Sequence, residues 1–194
     1  AKFALRQEAA LSSGWFTLES VADLDEYCYY VAGIVGKLLT NLFAADTCLI
    51  GGARKAEMQK LDVSFGLALQ VANIVKDCME DSTRRVCFVP EEICRRHGFE
   101  HSYDMFNLPV GVADEVRADF EARRAAVMEE LVKKAWGHLD DAIAYTKLVP
   151  NVKMRTRLFC LWPLFMAAEN MKLIGDGSGL FAAEALRRKG YTVT

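Results

Sequence analysis

The sequence predicts an all-α protein, and three observations carry that expectation. Only four prolines interrupt 194 residues. Apolar residues recur over long stretches at helical spacing. No segment shows the strict period-two alternation of a half-buried strand, and no internal repeat or low-complexity segment is present. A chain of this length forms one domain or one large piece of one, and residues 1–194 are read as a single domain. With 52% hydrophobic and 26% charged residues it is globular and able to bury a core. A net charge of −2 argues against nucleic acid as a partner, which would call for a basic stripe.

The elements follow in order. Ser20 with Asp23 three residues on is an N-cap with an acidic N3 position, opening a helix from about Val21 to Ala45. Tyr27 to Phe43 is the most apolar stretch of the chain. Lys37 and Asn41 interrupt it, and Gly33 and Gly36 suggest close helix packing, so it reads as a buried core helix rather than a membrane span. Ala53 to Asp81 is a second long helix, ended by Ser82-Thr-Arg-Arg85. Val86 to Pro109 reads as short helical turns and loops, with Pro90-Glu-Glu92 starting a turn of helix and Gly98 stopping it. Ala113 to Val149 is a long amphipathic outer helix with charges of both signs on its solvated face, closed by Pro150. Val152 to Ile174 is apolar nearly all round from Leu158 to Ala168, which predicts a central helix kinked at Pro163. Asp176-Gly-Ser-Gly179 is a turn, and Phe181 to Lys189 a last helix.

The six cysteines contain no C-x-x-C pair and no zinc-type spacing to His. They read as small core residues in a reducing compartment, which places the chain in the cytoplasm. The start, Ala1-Lys-Phe-Ala4, has no signal-peptide core, and it lacks an initiator Met, which points to a fragment or a processed product.

One helix face is chemically unusual. With Asn73 set at zero, a turn of about 100° per residue puts Gly66, Gln70, Asp77, Glu80 and Asp81 all between about −20° and 80°. Leu67, Val71, Ile74, Val75 and Cys78 occupy the other side. Three carboxylates at this spacing repel one another, and only Lys76 lies near them. Several oxygen donors without paired His or Cys suit Mg²⁺, with Mn²⁺ as the alternative, shared with substrate phosphates. Lys76, Arg84 and Arg85 sit at or just past the end of the same helix, where they could grip phosphate oxygens or simply compensate the helix dipole. Tyr27, Tyr30 and Ile34 share a face, and a tyrosine hydroxyl in an apolar cleft can relay a proton or be an ordinary satisfied core group. Leu158-Phe-Cys-Leu-Trp-Pro163 could line a long apolar pocket or pack as plain core. His97, His101 and His138 read as surface residues, and no Ser-His-Asp or Cys-His arrangement, P-loop or dinucleotide glycine fingerprint is visible.

Together these segments resemble the squalene/phytoene synthase family of head-to-head prenyl transferases. Tyr27-Cys-Tyr-Tyr-Val-Ala-Gly33 resembles the family's Y-C-x-Y-V-A-G helix. Gly66 to Asp81 resembles its second aspartate-rich motif, N-I-x-R-D-x-x-E-D, with Lys76 standing where the family usually has Arg. Arg85-Val-Cys-Phe-Val-Pro-Glu-Glu92 resembles the R-x-x-F/Y-x-P-x-E element. Phe159, Cys160 and Pro163 resemble F-C-x-x-P, and Ala185 to Gly190 is weakly similar to the following R-K-G.

The resemblance implies an all-α isoprenoid (terpenoid) synthase-type helical bundle. It implies Mg²⁺-dependent condensation of two farnesyl diphosphates through presqualene diphosphate, then reduction by NADPH to squalene. The alternatives are a phytoene- or dehydrosqualene-forming chain without reduction, and an inactive prenyl-diphosphate-binding subunit. Asn73, Asp77 and Asp81 would hold the metal with Glu80 assisting, and Lys76, Arg84 and Arg85 would face the diphosphate. Tyr27 would relay a proton, and Gln70, Phe159, Cys160 and Pro163 would line the prenyl pocket. The family's first aspartate-rich motif has no counterpart in Ala1 to Ser20, so an N-terminal segment or a partner chain is expected to supply it. An apolar product also implies peripheral membrane contact.

Overall fold

The computed structural model describes residues 14–108 and 111–175. The elements are β1 (Phe16–Leu18), α1 (Val21–Cys28), a π-helical turn over Tyr29–Gly33, α2 (Ile34–Asp46), α3 (Gly52–Thr83), β2 (Val86–Pro90), α4 (Glu91–Arg96), a 3₁₀ turn over Ser102–Phe106, α5 (Asp114–Leu148) and α6 (Met154–Ile174). The all-α expectation holds, and the boundaries of the long helices agree with the sequence reading to within a few residues. The expected turn at Asp176 and the helix from Phe181 lie outside the described residues.

The chain divides into two compact units. One comprises the chain up to Leu24, Ile74–Val132 and the chain from Leu173 on; the other comprises Asp25–Asn73 and Lys133–Lys172.

Among the described residues, the first unit holds the departure from the all-helical expectation. β1 and β2 pair in parallel, Phe16 opposite Val86 and Thr17 opposite Cys87, with an irregularity before Leu18 meets Pro90. Phe16, Leu18, Val86, Cys87 and Val89 are all buried, so β2 reads as a continuous apolar run with no alternation to reveal it. Glu91, also buried, accepts hydrogen bonds from the Ser102 backbone N–H and hydroxyl, both at 2.9 Å, and so satisfies its carboxylate inside the fold.

In the second unit, α2 and α3 touch backbone to backbone. A Cβ on Gly36 would lie 1.8 Å from the carbonyl oxygen of Asp62, and one on Gly66 would lie 2.1 Å from that of Ala32. The expectation of close packing at the glycines is met on this side only. The other side of the Val21–Asp46 helix exposes Tyr30, Val31, Ile34, Val35, Leu38 and Leu42, so this is not a helix buried all round. Its 26 residues are long and apolar enough to cross a membrane. The π-turn interrupts the α-helical period between Tyr27 and Ile34; Tyr27 is half-buried, and Tyr30 and Ile34 are exposed.

The expectation of a central helix over Val152 to Ile174 is corrected in the same way. Only one stripe of α6 is buried: Cys160, Leu164, Ala167, Met171 and Ile174. Leu158, Phe159, Trp162, Phe165, Met166 and Leu173 are exposed, and the helix continues through Pro163.

Candidate functional site

α3 supplies the whole oxygen-donor stripe. It is 32 residues long and ends where Arg85 takes a positive φ of 57°, the left-handed conformation that usually selects glycine after a helix. Along the stripe Asn73 and Glu80 are exposed, Gln70 and Asp77 half-buried, and Asp81 buried. The face is therefore not uniformly solvated; it sinks at its C-terminal end.

Lys76 Nζ lies 3.2 Å from Asp77, and Arg84 forms an ion pair with Asp81. Burial pushes the Asp81 carboxyl above the usual carboxylate range, and the Arg84 guanidinium draws it part of the way back. The Arg84 side chain itself is mostly exposed, so it can turn toward an incoming anion. Arg85 is exposed beside it.

The donor chemistry fits a hard divalent cation: oxygen atoms only, three of four donors carboxylates. One helix does not close a coordination sphere by itself, because donors one turn apart are separated by about 6 Å along the axis. Among the described residues no three carboxylate, imidazole or thiol groups converge on one point. Asn73, Asp77, Glu80 and Asp81 thus line up as oxygen donors along one helix face and do not by themselves enclose a cation.

Toward its N-terminal half the same stripe meets an apolar cleft of about 220 Å³ in the second unit. Gly66 and Gln70 line it from α3, Val35 and Gly36 from α2, and Phe159 and Pro163 from α6. Three of the four residues assigned to the prenyl pocket are thus brought together. Cys160, the fourth, is fully buried and does not line the cleft, and burial pushes its thiol up to about 12, so it is unreactive. Phe159 also meets Phe43 edge to face, with ring centroids 6.3 Å apart. Tyr27 is half-buried and does not line the cleft.

Two side-chain clusters escaped the sequence reading. Ser64 Oγ donates to Asp141 Oδ2 at 2.7 Å and lies 2.7 Å from His138 Nδ1, joining α3 to α5. This brings together a Ser, a His and an Asp that lie too far apart in sequence to suggest it. The hydroxyl proton goes to the carboxylate, with the imidazole beside rather than between them, so the order is not that of a nucleophilic triad. His138 is half-buried, and His97 bonds Glu130 at 2.6 Å; neither is the free surface residue expected. The second cluster surrounds Asp62, buried beside the Gly36 crossing. Thr40 Oγ1 lies 3.0 Å from the Tyr145 hydroxyl there, and burial raises the Asp62 carboxyl.

A family model described as squalene/phytoene synthase matches residues 6–187. The chain belongs to the squalene/phytoene synthase family. It is 31% identical over 183 residues to squalene synthase of Cyberlindnera jadinii, covering 94% of this chain and 37% of that one. It is 30% identical over 178 residues to squalene synthase of Rattus norvegicus, covering 90% of this chain and 38% of that one. The chain therefore spans less than two fifths of the length of these curated relatives. Among solved structures it is similar to TcSQS in complex with the ligand BPH1237, at TM-score 0.69 and 26% identity over 85% of this chain and 45% of that one. Squalene synthase HpnC of Alicyclobacillus acidocaldarius, at 22% identity and TM-score 0.58, covers 91% of this chain and 60% of that one and shows the shared fold.

Proposed function

We propose that this chain is the part of a head-to-head prenyl transferase that carries the second metal-binding wall and one side of the prenyl cleft. The observation that carries the reading is the continuity of one stripe on α3. Gly66 and Gln70 line an apolar cleft, and Asn73, Asp77, Glu80 and Asp81 follow on the same helix. Gln70 and Asp77 are about 10 Å apart along the axis. An apolar tail next to an oxygen-donor head is the polarity of a prenyl diphosphate.

In this reading the reaction is condensation of two farnesyl diphosphates through presqualene diphosphate to squalene. Bound Mg²⁺, held by Asn73, Asp77 and Asp81 with Glu80 assisting, would neutralise the diphosphate leaving group. Lys76, Arg84 and Arg85 orient the diphosphate oxygens. Phe159 and Pro163 exclude water from the cleft, which protects a carbocation from capture, and Cys160, buried on the same helix, stays a neutral thiol. Tyr27 holds and relays a proton at its hydroxyl. Reduction to squalene calls for NADPH; the sequence has no dinucleotide glycine fingerprint, and no residue of this chain is assigned to that cofactor.

The single wall of donors favours one companion reading: a prenyl-diphosphate-binding chain whose first aspartate-rich wall comes from an upstream segment of the same domain or from a partner chain. A cytoplasmic setting accords with the six cysteines, all free thiols, and an apolar product accords with contact at a membrane surface. The test is product analysis by mass spectrometry. The longest available reading frame is supplied with farnesyl diphosphate and Mg²⁺, with and without NADPH. Squalene formed only with NADPH supports the reading. Dehydrosqualene or phytoene in both arms assigns the non-reducing alternative, and no turnover in any arm with the first motif present overturns transferase activity in favour of the binding subunit.

A further inference from the structure

The loop between α2 and α3 and the loop between α5 and α6 lie side by side in the second unit. Leu49 of the first loop with Arg54 in the first turn of α3, and Lys147 in the last turn of α5 with Pro150 and Val152 of the second loop, line an open recess of about 460 Å³. Lys153 bonds Asp46 across the two loops at 2.9 Å. Residues 46–57 and 147–157 hold six cations, Arg54, Lys55, Lys147, Lys153, Arg155 and Arg157, against two acids, Asp46 and Glu57. Both acids are already paired, Asp46 with Lys153 and Glu57 with Lys60. Arg54, Lys55, Lys147 and Arg155 have no carboxylate partner among the described residues. The whole chain is net negative, so this end concentrates cations against the general trend.

Apolar side chains project from the same end. Val152 is 78% exposed and Met154 55%, and exposed Leu49 stands with them. Exposed Leu38 and Leu42 lead toward them along α2. Apolar tips beside cations that have no carboxylate partner among the described residues match the layering of an anionic bilayer, with acyl boundary inside and headgroup phosphates outside. A nucleic acid would engage the cations and leave the apolar tips against charged phosphates.

We propose that this two-loop end docks on an anionic membrane surface, with Leu49, Val152 and Met154 entering the headgroup boundary and Arg54 and Lys147 contacting lipid phosphates. The proposal gives a location to the membrane contact named above. It is read by binding and without turnover, so its failure leaves the prenyl-transfer reading standing, and the converse holds.

The experiment is co-sedimentation of the full chain with phosphatidylcholine vesicles with and without phosphatidylglycerol. Binding to the anionic vesicles that falls with added salt is expected. Arg54→Ala and Lys147→Ala should each weaken it about five-fold. Val152→Asp with Met154→Asp should remove it while circular dichroism and thermal midpoint stay unchanged, since both side chains are exposed. Absence of binding to anionic vesicles, or binding equal in all variants, overturns the proposal. So does competition by inorganic phosphate at matched ionic strength, which would make the recess a small-anion site. Binding of single-stranded RNA that needs Arg54 and Lys147 but tolerates the paired aspartates would also overturn it, in favour of a nucleic-acid partner.

Discussion

Arg85 combines strain and charge at one residue. It sits in the left-handed region directly after α3, where a side chain costs about 1–2 kcal/mol that glycine does not incur. Its neighbour Arg84 closes the turn, donating its backbone N–H to Asp81 at 2.9 Å. An arginine retained in a strained position next to the donor stripe accords with a diphosphate contact. Arg85→Gly should therefore raise stability by about 0.5–1 kcal/mol, after the entropic cost of glycine, while weakening diphosphate binding. Thermal melting and ligand titration on the same sample check the two arms. The residues of the stripe were legible in the sequence because helical spacing alone puts them on one face. Their burial gradient was not, because the sinking of Asp81 depends on what packs around the end of α3 in its own unit. The Ser64, His138 and Asp141 cluster was equally invisible: 74 residues separate Ser64 from His138, and no local pattern links them.

At the scale of elements, the α2–α3 crossing is the tightest contact available for test. Gly36→Ala would drive a methyl group into the Asp62 carbonyl, which belongs to a helix backbone and cannot swing aside. The helices must separate, at a cost of about 3 kcal/mol. Gly137→Ala, in α5 with open space around it, should instead gain about 0.5–1 kcal/mol from helix propensity. Opposite shifts in the thermal midpoints of these two variants would check the account of the crossing.

The α3–α5 clamp carries a pH dependence. Burial, with Lys134 nearby, holds the His138 imidazole below its ordinary value, against the pull of Asp25 and Asp141. Folding thus favours the neutral ring. Its contribution is present above the ordinary histidine pKa and is lost as pH falls through that value toward the folded one. The thermal midpoint should drop more between neutral and mildly acidic pH in the wild type than in His138→Gln, which keeps a hydrogen bond to Ser64 without titrating. The helices themselves were legible from caps and periodicity. β2 was not, since a five-residue apolar run has no distinguishing period, and its pairing with β1 is non-local. The exposure of α6 also escaped the sequence reading, because a helix apolar all round is expected to be covered all round.

For the whole molecule, the family, the all-α architecture and the position of the donor stripe on a long helix form one consistent picture. The chain spans less than two fifths of the squalene synthases of Cyberlindnera jadinii and Rattus norvegicus, and the Val21–Asp46 helix and α6 expose broad apolar faces. The central claim is that the α3 stripe is a metal-dependent diphosphate wall rather than a solvated acidic face. The measurement that tests it most directly is calorimetric titration of farnesyl diphosphate into the chain, with Mg²⁺ and with chelator, for the wild type, Asp77→Ala and the distant acidic control Glu57→Ala. The account predicts binding that requires Mg²⁺, is lost or weakened at least ten-fold in Asp77→Ala, and is unchanged in Glu57→Ala. Binding of equal strength with and without Mg²⁺, or indifferent to Asp77→Ala, would contradict it.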